Sequence, residues 1–125
     1  MGLTRPRGAP LGVGVDIEEV ERFRGKNGGS WWSKAFTRDE LDYCLSKSDP
    51  AIHLAGTFAA KEAALKSVSR FRAKAPLLDF EVTRPKSGAP AIRYRGKQEP
   101  IRALKIEVSI SHTADNAVAV AVAYE

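Results

Sequence analysis

Three groups of residues in this chain carry side chains suited to chemistry. Asp16 ends the apolar run Gly12–Asp16 and is followed two residues on by Glu18. Lys61, Glu62 and Lys66 interrupt a segment otherwise rich in alanine, and Glu62 and Lys66, four residues apart, share one face of a helix. Ser109, Ser111 and His112 close an alternating apolar–polar run, which sets two hydroxyls and an imidazole at a sheet edge. Charges on a helix covered on both sides must be paired or ligated, because an unpaired buried charge costs several kcal/mol. Asp16 and Glu62 together suit a magnesium ion, which prefers oxygen ligands and takes one or two carboxylates beside phosphate oxygens. Lys61 and Lys66 would offset further phosphate charge. Carboxylates, a divalent cation, phosphate and lysine together point to phosphoryl transfer. The plain alternative is a surface Glu62–Lys66 pair, Asp16 as a helix cap and an ordinary strand end at Ser109–His112.

Positioning these groups falls to a small set of elements. Gly12–Asp16 reads as a short strand whose alternate glycines allow close backbone approach. Ile17–Arg24 reads as a helix, acids early and arginines late. Trp31 and Trp32 anchor a second amphipathic piece against the core. Thr37 and Glu40 form a capping box that starts a helix running to about Ser46. Asp49 then serves as N-cap, with Pro50 in the first turn of the next helix. That helix runs from Ala51 to about Ser69, with Leu54, Phe58, Leu65 and Val68 on one stripe and alanines opposite. Alternation around Phe80, Ile92, Ile106–Ile110 and Val118–Val122 predicts strands, the last two joined as a hairpin by Thr113–Asn116. The fold class is α+β: an antiparallel sheet packed on one long helix plus shorter helices, in a single domain over 11–125 behind a flexible tail, 1–10.

The 125 residues are 43% hydrophobic and 28% charged, an ordinary globular mixture, with a net charge of +5. That excess favours anionic partners. The single cysteine, Cys44, excludes an intrachain disulfide and a multi-cysteine zinc site and suits a reducing, cytoplasmic setting. Cys44 reads as packing and His53 as a surface residue. No apolar run approaches the ~20 residues of a membrane span, and the first ten residues lack the apolar stretch of a signal peptide. A nucleic-acid-binding module would account for the charge and for Arg93, Arg95 and Lys97. It leaves Asp16 and Glu62 unexplained, since both repel phosphate unless a metal intervenes.

The blocks GVGVDIEEVERF (12–23), FTRDEL (36–41), LAGTFAAKEAALKS (54–67), SGAP (87–90) and VSISHT (108–113) occur in this order. Together they resemble the holo-acyl-carrier-protein synthase branch of the 4′-phosphopantetheinyl transferases. The resemblance implies transfer of the phosphopantetheine arm of coenzyme A to a serine of an apo acyl carrier protein, releasing 3′,5′-ADP. It implies that Asp16 and Glu62 hold Mg2+, with Mn2+ as the alternative, against the coenzyme pyrophosphate. Lys61 and Lys66 would lie near those phosphates, Lys66 stabilising or protonating the leaving one. Ser111 and His112 would contact the 3′-phosphate region, and the general base would be Glu62 or a metal-bound water. Arg22 would face the acidic carrier protein, and Arg24 and Lys26 would add to that steering. The short branch forms homotrimers, which implies that His112 reaches a coenzyme whose magnesium the neighbouring subunit holds. The pathway implied is fatty acid biosynthesis, with polyketide and peptide carriers as alternatives.

The chain departs from the family pattern in four places. Thr57 stands where many members carry an arginine, which implies the loss of one carrier-protein contact. Ser69–Arg72 replaces a glycine-rich turn, a change compatible with a coenzyme A-binding relative that has lost turnover. Gly96–Leu104 holds Pro100 where relatives have a full helix. Glu18 makes the Asp-x-Glu pair of the larger branch, in which the glutamate is a third metal ligand; a solvent-facing acid is the other reading.

Overall fold

Alanine and glycine decide how the long helix meets its sheet. In the computed structural model, which describes residues 10–25 and 29–125, the strand β1 spans Leu11–Glu19 and pairs along its full length with β5, Asn116–Tyr124. On the inward face of β5, Ala117, Ala119, Ala121 and Ala123 are buried, while Val118 and Val120 face outward. The helix α3, Pro50–Val68, lies on that inward face. A β-carbon on Gly14 would stand 2.0 Å from the Ala63 carbonyl oxygen, and one on Gly12 would stand 1.9 Å from that of Ser67. The two glycines therefore set the distance between β1 and α3, and with it the approach of Asp16 to Glu62 and Lys66.

The third strand, β4 (Lys105–His112), pairs antiparallel with β5 through the hairpin predicted at 113–116, giving the order β1–β5–β4. The remaining strands, β2 (Phe80–Thr83) and β3 (Ala91–Tyr94), form a separate two-stranded sheet rather than extending the first. Three shorter helices complete the domain: α1 (Gly29–Ala35), α2 (Arg38–Leu45) and α4 (Glu99–Arg102). The α+β class, with antiparallel strands on one long helix and shorter helices around it, is as expected. The expected N-terminal tail, apart from Pro10, lies outside the described residues, as does Lys26.

Two local expectations are corrected. Ile17–Glu19 continue the strand, because Val118, Ala117 and Asn116 offer them ladder partners; only Val20–Phe23 turn, as a 3-10 helix. The dipole-ordered charges of Ile17–Arg24 are a weaker force than a ready sheet edge a hundred residues away. Asp49 makes no side-chain cap on α3, although Pro50 occupies the first turn; its carboxylate binds Arg24 Nη1 at 2.9 Å instead. The capping box forms as expected: Thr37 Oγ1 accepts from the Glu40 amide at 3.2 Å, and Glu40 Oε1 accepts from the Thr37 amide at 2.8 Å. Trp32 is buried and Trp31 is part-exposed beside Phe23 and Phe58.

Candidate active site

The inward-facing positions of β1 beyond Gly14 are Asp16 and Glu18, and both meet the flank of α3 that carries Glu62 and Lys66. Lys66 Nζ donates to the Val15 carbonyl at 2.9 Å and lies 3.3 Å from Asp16 Oδ1. The side chain of Asp16 is only 13% exposed, and its Oδ2 is buried without any hydrogen-bond partner. A carboxylate oxygen left in this state is a standing free-energy cost, which a ligand can remove.

The other two acids feel that cost. Burial, followed by the hydrogen-bonding reach and negative charge of Asp16, pushes Glu18 up to about 7, against the opposing pull of Arg22. Two partly buried carboxylates that face each other disfavour each other's ionisation. Burial also raises Glu62, with Asp16 adding to the effect and Lys66 and Arg22 offsetting it. Three acids therefore converge where ionising all of them is unfavourable without added positive charge. Among the described residues no three acid, histidine or cysteine groups are drawn into ligating geometry around one point. Arg22 donates to Glu18 Oε1 and Lys66 Nζ lies against Asp16 Oδ1, so two protein cations offset part of the negative charge. A hard, oxygen-only donor set with an orphaned buried oxygen fits Mg2+ or Mn2+. Asp16 and Glu62 would form its core, and Glu18 would join only by leaving Arg22.

The remaining expected site residues are placed as follows. Lys61 is corrected. It is fully buried, and its Nζ donates to Glu40 Oε1 at 2.6 Å, away from the Asp16 cluster. Adjacent helix residues diverge by about 100°, so Glu62 and Lys61 cannot face the same ligand. Burial lowers the Lys61 ammonium and Glu40 opposes that shift. Ser111 and His112, both exposed at the end of β4, face opposite sides of the sheet, Ser111 beside Val118 and His112 beside Ala117. The structure does not bring either to Asp16 within one chain. Arg22 is half-exposed over the rings of Phe23, Trp31 and Phe58. Arg24 is paired with Asp49 and Glu21. The Glu18–Arg22 pair went unread in the sequence, although its four-residue spacing was a signal. At the altered turn after α3, Arg72 takes the left-handed conformation, φ 58°, that a glycine would adopt without strain.

Comparison with known proteins matches the chain to a family. Residues 12–123 match the model of the 4′-phosphopantetheinyl transferase superfamily. The chain is 38% identical over 117 residues to a holo-[acyl-carrier-protein] synthase of Protochlamydia amoebophila, covering 90% of this chain and 96% of that one. It is 36% identical over 114 residues to one from Chlorobium limicola, covering 88% and 90%. Its structure superposes on the ACPS–CoA complex of Chronobacterium ammoniagenes with a TM-score of 0.78 at 28% identity, over 93% of this chain and 98% of that one. The family model over residues 12–123, with relatives 36–38% identical across nearly the whole chain, places the chain in the 4′-phosphopantetheinyl transferase superfamily, in its holo-acyl-carrier-protein synthase branch.

Proposed function

We propose that this protein transfers the 4′-phosphopantetheine arm of coenzyme A to a serine of an apo acyl carrier protein, releasing 3′,5′-ADP, in a Mg2+-dependent reaction. The observation that carries this reading is the buried, partnerless Oδ2 of Asp16 beside two acids that resist ionisation and one lysine. Asp16 and Glu62 would hold the cation, which when bound supplies charge neutralisation for a pyrophosphate. The serine oxygen bonds to the β-phosphorus while the bond from that phosphorus to the bridging oxygen breaks. Glu62, on the flank of α3 that faces Asp16, would accept the proton the serine loses. Lys66 changes partner from Asp16 to the departing phosphate and stabilises its developing charge.

The same reading includes assembly. On the outward face of β1 and β5, Leu11, Val13, Val15, Ile17, Val118 and Val120 are each 36–65% exposed in a continuous apolar stripe, with β1 at the sheet edge. Such a surface suits copies of the same chain, and we assign it to a homotrimer. Within one chain α3 separates the Asp16 side from the His112 side, so one coenzyme reaches both only across two copies. Arg22 and Arg24 are proposed to steer the acidic carrier protein. A lone buried cysteine and both substrates fit the cytoplasm; among the described residues no helix is long and apolar enough to cross a membrane. Mass spectrometry of apo carrier proteins incubated with the protein, coenzyme A and Mg2+ tests the proposal. A gain equal to the phosphopantetheine arm is expected, and coenzyme binding without any gain would refute it.

A further inference from the structure

Two protein cations already sit among the acids of the candidate active site, and they hold them in different ways. Lys66 rises from α3 and divides itself between the Val15 carbonyl, at 2.9 Å, and Asp16 Oδ1, at 3.3 Å, which leaves Asp16 Oδ2 without a partner. Arg22 comes from the turn that follows β1 and donates through Nη1 to Glu18 Oε1, four residues back. The Glu18 side chain is 9% exposed against 53% for Arg22, so the arginine closes over the carboxylate from the solvent side. Arg22 also opposes the upward shift of Glu18, and it joins Lys66 in opposing that of Glu62. Its charge thus serves acids that a divalent cation would draw on.

The same arginine has a second seat. Its guanidinium carbon lies 5.5 Å from the centre of the Phe23 ring, 5.7 Å from that of Phe58 and 5.9 Å from that of Trp31. Aromatic faces attract a guanidinium whether or not a carboxylate is bound to it, and its exposed part stays hydrated. Giving up Glu18 therefore removes one ion pair without stranding the arginine. Glu18 has no such freedom. A carboxylate this buried needs a positive partner. Asp16 lies two residues away on the same inward face of β1, so a cation reached by Glu18 also reaches the free Asp16 oxygen. Arg22 and a divalent cation thus compete for one carboxylate.

We propose that Arg22 is a positioning residue that sets the divalent-cation affinity of the site: bound to Glu18 it withholds that carboxylate, and withdrawn onto the aromatic faces it releases Glu18 as a further ligand beside Asp16 and Glu62. This rests on the cation-dependent transferase reading above. The test is Mn2+ binding to the full chain without coenzyme, followed by the electron paramagnetic resonance signal of the free ion. Arg22→Met keeps an apolar stem over the rings and removes the charge; it should bind Mn2+ about tenfold more tightly than wild type. Arg22→Gln should show the same gain, so that a packing defect in one variant does not decide the outcome. Glu18→Gln should bind no more tightly than wild type, and adding Arg22→Met to it should gain less than about twofold. Wild-type affinity in both Arg22 variants would overturn the proposal. So would a tenfold gain that survives in the Glu18→Gln background, because loss of a nearby positive charge, rather than release of Glu18, would then be its cause. Asp16→Asn separates this from the underlying reading. Mn2+ binding that needs Asp16 but ignores Arg22 sinks the role of Arg22 alone, whereas binding that ignores Asp16 sinks the cation site and Arg22's role together.

Discussion

Two clusters, each of acids and a lysine, lie along α3 and are opposite in character. At the first, every oxygen is satisfied. Glu40 Oε1 accepts from Lys61 Nζ and the Thr37 amide, and Oε2 accepts from the Val82 amide at 2.7 Å, inside a shell with no exposure at either charged side chain. Thr37 continues the network to Glu81, which accepts twice from Arg93. At the second, Asp16 Oδ2 has no partner, Glu18 and Glu62 are held above their ordinary carboxylate range, and Lys66 stays half-exposed. A complete buried network is structure, tying α2 and β2 to α3. An incomplete one at a half-open edge is a place for a ligand. Sequence distance does not separate the two, since Lys61 and Glu62 are neighbours.

Breaking each cluster should therefore have opposite consequences. Asp16→Asn is expected to lower transfer by more than about a thousandfold while leaving the melting temperature equal or slightly higher, because it relieves repulsion among three acids. A melting temperature lowered in step with activity would merge the two clusters into one structural role. Lys61→Ala should cost about 3–5 kcal/mol in chemical denaturation by stranding Glu40 in the interior. A cost near zero would show the pair to be dispensable. Lys66→Ala should reduce kcat by about a hundredfold with little change in stability; an unchanged kcat would remove Lys66 from the chemistry.

The smallest effect concerns pH. Burial alone would raise Glu81, but the hydrogen bonds from Thr37 and Arg93 hold its carboxyl below the ordinary 4.5. The resulting stability is present above 4.5 and is lost as pH falls through the lower, folded value. Glu81→Gln should flatten that part of the acid limb in melting curves; an unchanged acid limb would show that Glu81 contributes nothing to it.

Legibility in the sequence followed the range of the interactions. The Thr37–Glu40 capping box could be read because its partners lie three residues apart. The meeting of Asp16 with Glu62 and Lys66 could be read because glycines 12 and 14 and the alanines of α3 announce a close strand–helix contact. Lys61 was misplaced because its partner, Glu40, lies 21 residues away on another helix, and only packing shows which way residue 61 points. The strand character of Ile17–Glu19 was hidden for the same reason, its partners being at 116–118. Asp49 matched the cap pattern, but Arg24, 25 residues earlier, competes for its carboxylate. The contacts of Arg84 with Thr57 and Tyr43 had no local sign, since those residues lie on two other elements.

The most direct measurement is thermal melting of wild type and Asp16→Asn with coenzyme A, in excess EDTA and then in excess Mg2+. Adding the cation should raise the wild-type midpoint by several degrees and leave the variant where it was. Equal shifts in both proteins, or none in either, would contradict a divalent-cation and diphosphate site built on Asp16.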